Sequence, residues 1–532
     1  MKLFPFHIIL FVLIVLLYVL FPTRLHFTDG VYFAYNLEHF PISYGFHINH
    51  LFWLPLMHIL YKFFIFFFPH LKAMTFLQLI SSLFGGFCFL LFFKIIFRFT
   101  NSYFTGIISA LFLSLSWGFI HYSTDSNVYI ALLFIMLFIL YLIMDINVIN
   151  SKIAFGITSL LIFLCSLHKI GFFFSLAVLL WVAIQSKKAD KIRIFYSCLA
   201  FYSLSLVCMY YLVFLFNYPR LASEGYSNFV QLITVSPTRE YWTIISNGFF
   251  ESQETFIRAQ FNLFFHIKEN IKAYYEQAYY ESYSVLIIYL LLHVIILFSA
   301  LIELKRTIFN KSRYTRIHPL KIFLFLWFFS YFIFNQLYSP FEVHYKLFYL
   351  PPIMAIWAFQ ILESSRREKT IWTIIVSALV CVMGIWNIST GLIPNSNPDN
   401  NPYLKNILQL DPYIERGDLI IYTKQERNFA SLARYYTKAN AAFFRPYSKK
   451  DQYISDNYNM VHEKTISYLK SNFHRIFISD ESLKSGYPAW VFLSHQFPLP
   501  CPSFLVLEKN DFEIKNIIKI NDRSIYHEIS LK

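Results

Sequence analysis

A series of long apolar runs constrains this chain more than anything else in it. Eleven of them, 3–21, 76–93, 105–120, 128–144, 153–167, 170–184, 194–216, 284–301, 321–337, 347–362 and 371–390, approach or exceed the roughly 17 to 25 residues that a helix needs to cross a bilayer core of ~30 Å. Backbone in lipid must satisfy its own hydrogen bonds, so each run is predicted to be a helix. With 57% of its 532 residues hydrophobic and 14% charged, the chain is excluded from the ordinary water-soluble class. The fold expected is an all-α polytopic membrane protein of about eleven transmembrane helices plus interfacial helices.

The formal charge of +14 does not point to nucleic acid, because the basic residues form short clusters between apolar runs. Five clusters, Lys94 with Arg98, Lys152, Lys187 to Arg193, Lys305 to Arg316 and Arg366 to Lys369, fall on one side of the expected membrane, which the positive-inside bias makes the cytoplasm. The segment 51–68 is apolar too, but Pro55, His58 and Lys62 interrupt it, while Trp53 and Tyr61 suit the headgroup boundary. It reads as an interfacial helix. The N-terminus lacks a small-x-small cleavage site and reads as a retained first span of an inner-membrane, multi-pass protein. The first outer loop is then 22–75, and residues 121–127, the turn near 168, 217–283, 338–346 and everything after 390 share its side.

Composition changes near 391. The polar stretch PNSNPDNNP (394–402) leads into about 130 residues of ordinary charge density, in which DLIIY (418–422), AAFF (441–444) and RIFIS (475–479) alternate with helical stretches near 427–437 and 459–472. Residues 1–390 are therefore expected to form the membrane domain, and 391–532 a small extracytoplasmic α/β domain. No glycine-rich phosphate loop opens either helix, so no nucleotide is expected. The six cysteines show no CxxC and no ladder of spacings, which predicts neither disulfide framework nor zinc site.

The unusual polar residues gather on the expected outer face. In the first loop Asp29 fits either an N-cap for the helix that follows or a carboxylate whose basicity partial desolvation raises enough to take a proton from a hydroxyl. Arg24 lies beside it in sequence, and His47 and His50 fit a ligand contact or one edge of a divalent-metal site that has no patterned third ligand. Asp125 and Asn127 sit between two spans. His168 and Lys169 interrupt an apolar hairpin, where charged groups tend to line polar cavities, although a simple turn with a snorkelling lysine reads equally well. Glu342 and Lys346 lie in the late outer loop, and Lys346, Lys169 or Arg24 could each offset charge on a departing phosphate or anchor at the interface.

In its order of parts the chain resembles the GT-C-type membrane glycosyltransferases, which include protein O-mannosyltransferases and the aminoarabinose transferases that act on lipid A. One span leads to a long outer loop with an early acid (TDG, Asp29), then an acidic second outer loop (STDSN, Asp125), an LHK turn (His168) and a late SPFEVHYKLFYLPP segment. It differs from the family in following Asp29 with Gly30 where a second acid is common, and in LHK where LHQ is the usual form. The resemblance implies a sugar donor on polyprenyl phosphate, an acceptor not identified by the sequence, and inversion at the anomeric carbon. Asp29 would act as base and Asp125 would orient the acceptor or support a metal, while the basic and imidazole groups bind substrate. The competing expectation is a transporter or flippase of a lipid-linked or anionic solute, with Asp125, His168 and Lys169 as pathway charges.

Overall fold

The computed structural model describes residues 6–26, 28–46, 50–144, 146, 149–186, 190–223, 317–337, 343–363, 366–423, 426–446, 458–485, 489–493, 504–521 and 524–532. His47, Glu342 and the expected span 284–301 lie outside them. The described chain forms two compact units. One takes in the residues up to Thr23, those from Pro41 to Val213, and those from 317 to Ser396; the other holds Arg24–Phe40, the last turns of the helix ending at Ser223, and Asn397–Lys532.

The first unit is helical. Its elements begin with α1 (Phe6–Leu20); α2 (Thr28–His39) belongs to the second unit, and α3 (Trp53–Phe67), α4 (Ala73–Thr100), α5 (Tyr103–Leu115), α6 (Trp117–Thr124), α7 (Tyr129–Ile143), α8 (Ser151–Leu167), α9 (Gly171–Gln185) and α10 (Lys191–Ser223) follow. Helices Ile317–Leu337, Val343–Lys346, Leu350–Glu363 and Arg366–Asn387 come later. Among the described residues three helical stretches, Ala73–Thr100, Lys191–Leu215 and Thr373–Ser396, are long and apolar enough to cross a bilayer, and α5 with α6 makes a fourth if the bent pair is one span. The remaining apolar helices are shorter. Large apolar side chains stand exposed along α1, from Phe6 and Ile8 to Leu20, and on α3 at Phe63, Phe66 and Phe67. Such a surface suits lipid and not water.

The expected span 105–120 is broken. Helix α5 stops at Leu115, and α6 departs at 65°. Ser116 takes an extended conformation (φ −66, ψ 142), and its hydroxyl donates to the Leu113 carbonyl at 2.7 Å, a local bond that competes with helix continuation. A break strands backbone carbonyls, which in an apolar interior must find donors. Tyr18 Oη donates to Ser114 O at 2.6 Å, and Asn387 Nδ2 to Leu115 O at 2.8 Å. Two glycines give α6 room to pack: a Cβ at Gly85 would lie 2.6 Å from Ser123 Oγ, and one at Gly391 would lie 2.3 Å from Trp117 Cζ3.

The second unit carries a seven-stranded sheet in the order β5-β4-β2-β1-β3-β7-β6, built from β1 (Leu419–Thr423), β2 (Asn440–Pro446), β3 (Ile476–Ser479), β4 (Ala489–Leu493), β5 (Phe504–Glu508), β6 (Phe512–Asn521) and β7 (Ser524–Leu531). Strand β1 runs parallel to β2 and β3, and the other pairings are antiparallel. The apolar runs of β1 and β3 are buried throughout, as expected for strands covered on both faces. Trp490 stacks on Phe444 at 4.5 Å in this core. The strand and helix alternation read from 418 to 479 is present within a residue or two, with helices at Arg427–Tyr436 and Tyr458–Asn472.

Candidate active site

In the first unit, one face of α4 holds the turn that carries Asp125. Gln78, Ser81, Ser82 and Gly85 follow the i, i+3, i+4, i+7 spacing that puts residues on one helical face. Gln78 Nε2 donates to Thr23 O (2.8 Å) and Thr124 O (3.1 Å), Ser81 Oγ to Asn127 O (3.2 Å), and Ser82 Oγ to Ser123 O (3.0 Å). Thr23 N also donates to Thr124 O at 3.2 Å, tying the exit of α1 to the same turn. Asp125 closes α6 as its C-cap, with extended backbone (φ −98, ψ 165), and is completely buried. Placement of a carboxylate at a helix C-terminus gains nothing from the helix dipole. The side chain therefore depends on local donors, of which Ser126 Oγ, at 3.5 Å, is one.

A second group converges from three segments of the same unit. Phe52 N donates to Ser166 O at 3.0 Å, which brings the start of α3 to the end of α8. His50 and His168 thereby meet edge to face, ring centroids 4.4 Å apart. His168 Nδ1 accepts from Ile170 N at 3.0 Å, so a neutral His168 carries its proton on Nε2. Tyr129 continues the cluster, 5.5 Å from His168, 5.5 Å from Tyr122 and 6.5 Å from Tyr345. Asn335 Nδ2 holds the Tyr345 carbonyl at 3.2 Å.

Lys169 opens onto a cavity of about 340 Å³ whose walls include His168, Phe172, Phe173, Tyr210 and Tyr345. Burial pushes its ammonium down to about 8, because a low-dielectric setting penalises the charged form. A cation held in an aromatic-walled pocket is suited to an anionic ligand, whose charge restores what desolvation removes. Lys346 ends the short helix Val343–Lys346, which packs against α6, and is completely buried. It is thus not an interfacial snorkelling anchor.

Asp29 and Arg24 belong to the second unit. Asp29 lies in the first turn of α2 and is half-buried, where a negative charge is favoured by the helix dipole. Arg24 offers its carbonyl to Asn401 Nδ2 at 2.8 Å. Of the residues singled out in the sequence, Asp125, His50, His168, Lys169 and Lys346 are thus placed in the first unit, and Asp29 and Arg24 in the second. Among the described residues no three His, Cys, Asp or Glu side chains form a metal-binding group. Sequence reasoning missed Gln78, Tyr129 and Tyr210. Gln78 had a signal, a polar residue at helical spacing from two serines inside an apolar run; the tyrosines had none, since 38 tyrosines are spread along the chain.

No protein-family model matches the chain, and no curated protein matches it. Among the solved structures that match it are two that do so over nearly its full length: ArnT from Cupriavidus metallidurans bound to undecaprenyl phosphate, and the same protein in the apo state. Each has a TM-score of 0.55 at 10% sequence identity, and the match covers 98% of this chain and 97% of the other. At that identity the likeness establishes the fold, and it is the one that the order of the sequence's parts anticipates: this chain has the architecture of ArnT, an aminoarabinose transferase among the GT-C glycosyltransferases.

Proposed function

We propose that the protein is an inner-membrane glycosyltransferase that moves a sugar from a polyprenyl-phosphate donor to an acceptor hydroxyl at the outer face, with inversion. The observation that carries this reading is the aromatic cavity beside Lys169 and His168, of a size and charge suited to a lipid phosphate, in a chain whose structural neighbour was solved with undecaprenyl phosphate. Lys169 and His168 hold the donor phosphate, with Lys346, His50, Arg24, His47 and Glu342 as further substrate contacts. Asp125 orients the acceptor. Asp29 takes the acceptor's hydroxyl proton as its oxygen attacks the anomeric carbon; the bond from that carbon to the phosphate oxygen breaks, and the phosphate leaves with the electron pair. In this reading the eleven expected runs all span, and residues 391–532 lie outside.

Membranes supplied with a polyprenyl-phosphate sugar labelled in the sugar test it. Wild type is expected to release free polyprenyl phosphate as label passes to an acceptor, and Asp29→Asn to lose about three orders of magnitude of that rate, the middle of the range for removing a general base. Undiminished transfer in Asp29→Asn would remove this residue from the mechanism. Movement of intact donor across the bilayer with no release of lipid phosphate would favour a flippase instead.

A further inference from the structure

The sequence offers no role for the C-terminal domain, but the second unit shows what it holds. Helix α2, which carries Asp29, packs on the domain's helix Arg427–Tyr436. Four polar or cation–π contacts bracket Asp29, at positions −5, −3, +6 and +9 from it. Ahead of it, Asn401 Nδ2 donates to the Arg24 carbonyl at 2.8 Å, and Tyr436 Oη lies 2.7 Å from His26 Nε2 with the two rings stacked at 5.9 Å. Beyond it, Arg434 lies over the Tyr35 ring at 5.7 Å, and Tyr435 Oη donates to Glu38 Oε1 at 3.1 Å. Three of the four come from one turn, Arg434–Tyr435–Tyr436. Arg434 is itself fixed, since its guanidinium donates to the Ala441 carbonyl in β2 through Nε (3.1 Å) and Nη2. Arg434 thus joins the sheet to α2.

Clamping on both sides of a residue, by groups anchored in a sheet, is how a side chain is held within the fraction of an ångström that proton transfer demands. Apolar burial of Val31, Phe33, Ala34 and Leu37 attaches α2, and the directional contacts add distance and angle requirements to that packing.

We propose that Arg434, Tyr435 and Tyr436 are positioning residues for Asp29, so that the C-terminal domain is a working part of the transferase and not an appendage. This rests on Asp29 being the base. The test uses the full-length protein in membranes or detergent and the double variant Tyr435→Phe, Tyr436→Phe, which keeps both rings and removes only the hydroxyls. Expected are a fall in kcat of about tenfold, an unchanged donor KM, and faster hydrogen exchange of the α2 amides, with the exchange of β1 and β3 as in wild type. In a cycle of His26→Ala, Tyr436→Phe and both together, the two changes are expected to be strongly non-additive in kcat. Wild-type kcat together with wild-type exchange in α2 would overturn the proposal, as would additive effects of His26→Ala and Tyr436→Phe. Asp29→Asn run alongside separates the two failures. If it is active the base assignment is wrong, and the exchange data still decide whether the turn holds α2; if it is inactive while the double variant keeps full kcat, the positioning role alone is lost.

Discussion

Lys169 links a half-buried position to a measurable pH dependence. Its ammonium is pushed down to about 8 by burial, and a bound phosphate would raise it again, so the free protein loses the proton before the complex does. Below pH about 8 both forms carry the charge and donor affinity is constant; above it the free protein must take up a proton to bind. Donor KM is therefore expected to rise by up to about tenfold per pH unit above 8, until the complex itself titrates. Lys169→Arg, whose charge persists to much higher pH, should flatten that rise, and Lys169→Met should raise donor KM about tenfold or more at neutral pH, as loss of a charged hydrogen bond predicts. A wild-type KM that stays level between about pH 7 and 9.5 would show that the phosphate does not meet this lysine. The sequence marks Lys169 as out of place in an apolar hairpin, and the structure adds the cavity it serves. That cavity could not be read from the chain, because its wall joins α8, α9, α10 and the segment around Tyr345 across nearly two hundred residues.

At the scale of elements, the bend between α5 and α6 was the least legible feature. Hydropathy carries straight through Ser116, and only the sum of SLSWG, a tyrosine on α1 and an asparagine on Arg366–Asn387 makes the break affordable to the backbone. The polar face of α4 does related work at the far end of α6. Replacing Gln78 by Leu removes a donor shared by two buried carbonyls, those of Thr23 and Thr124; the Thr124 carbonyl keeps the Thr23 amide, so the change should destabilise the protein by about 1 kcal/mol, as for loss of a buried hydrogen bond. Thermal unfolding in detergent measures that loss. Since the same turn ends in Asp125, transfer should fall while donor binding holds, and Gln78→Asn, too short to reach both carbonyls, should recover little of either. A Gln78→Leu protein as stable and active as wild type would mean that the turn is held without this face. The three strands and two helices between 418 and 479 were legible nearly to the residue, because each has its own period and ordinary turns between; β4 to β7 were not read as strands, nor was the seven-strand order, since these four join by antiparallel pairings that hydrophobic patterns do not specify.

Over the whole molecule, membership of α2 in the same compact unit as the tail bears on the one ambiguous segment of the topology. Residues hydrogen-bonded to one another, as Arg24 is to Asn401, lie on one side of a bilayer, so the chain must cross an even number of times between Phe40 and Asn397. Eleven expected runs less the first leave ten, which is even. Counting 51–68 as a further span would give eleven and set α2 and the sheet on opposite sides. Charge alone barely separates these topologies, whereas the bonds from Asn401 to Arg24 and from Tyr436 to His26 exclude any arrangement in which a membrane lies between their partners. Helix α3 is therefore expected to enter and leave on the outer side. Its inner face of Trp53, Leu54, Met57, His58 and Tyr61 packs on the protein, and its exposed phenylalanines are expected to meet lipid. Reporter fusions after residues 45 and 400 should both report the outer compartment and a fusion after 190 the cytoplasm. Opposite signals at 45 and 400 would require either that one of the ten runs fails to cross or that α3 crosses, and a fusion after 70 tells these apart: it matches 45 in the first case and differs from it in the second.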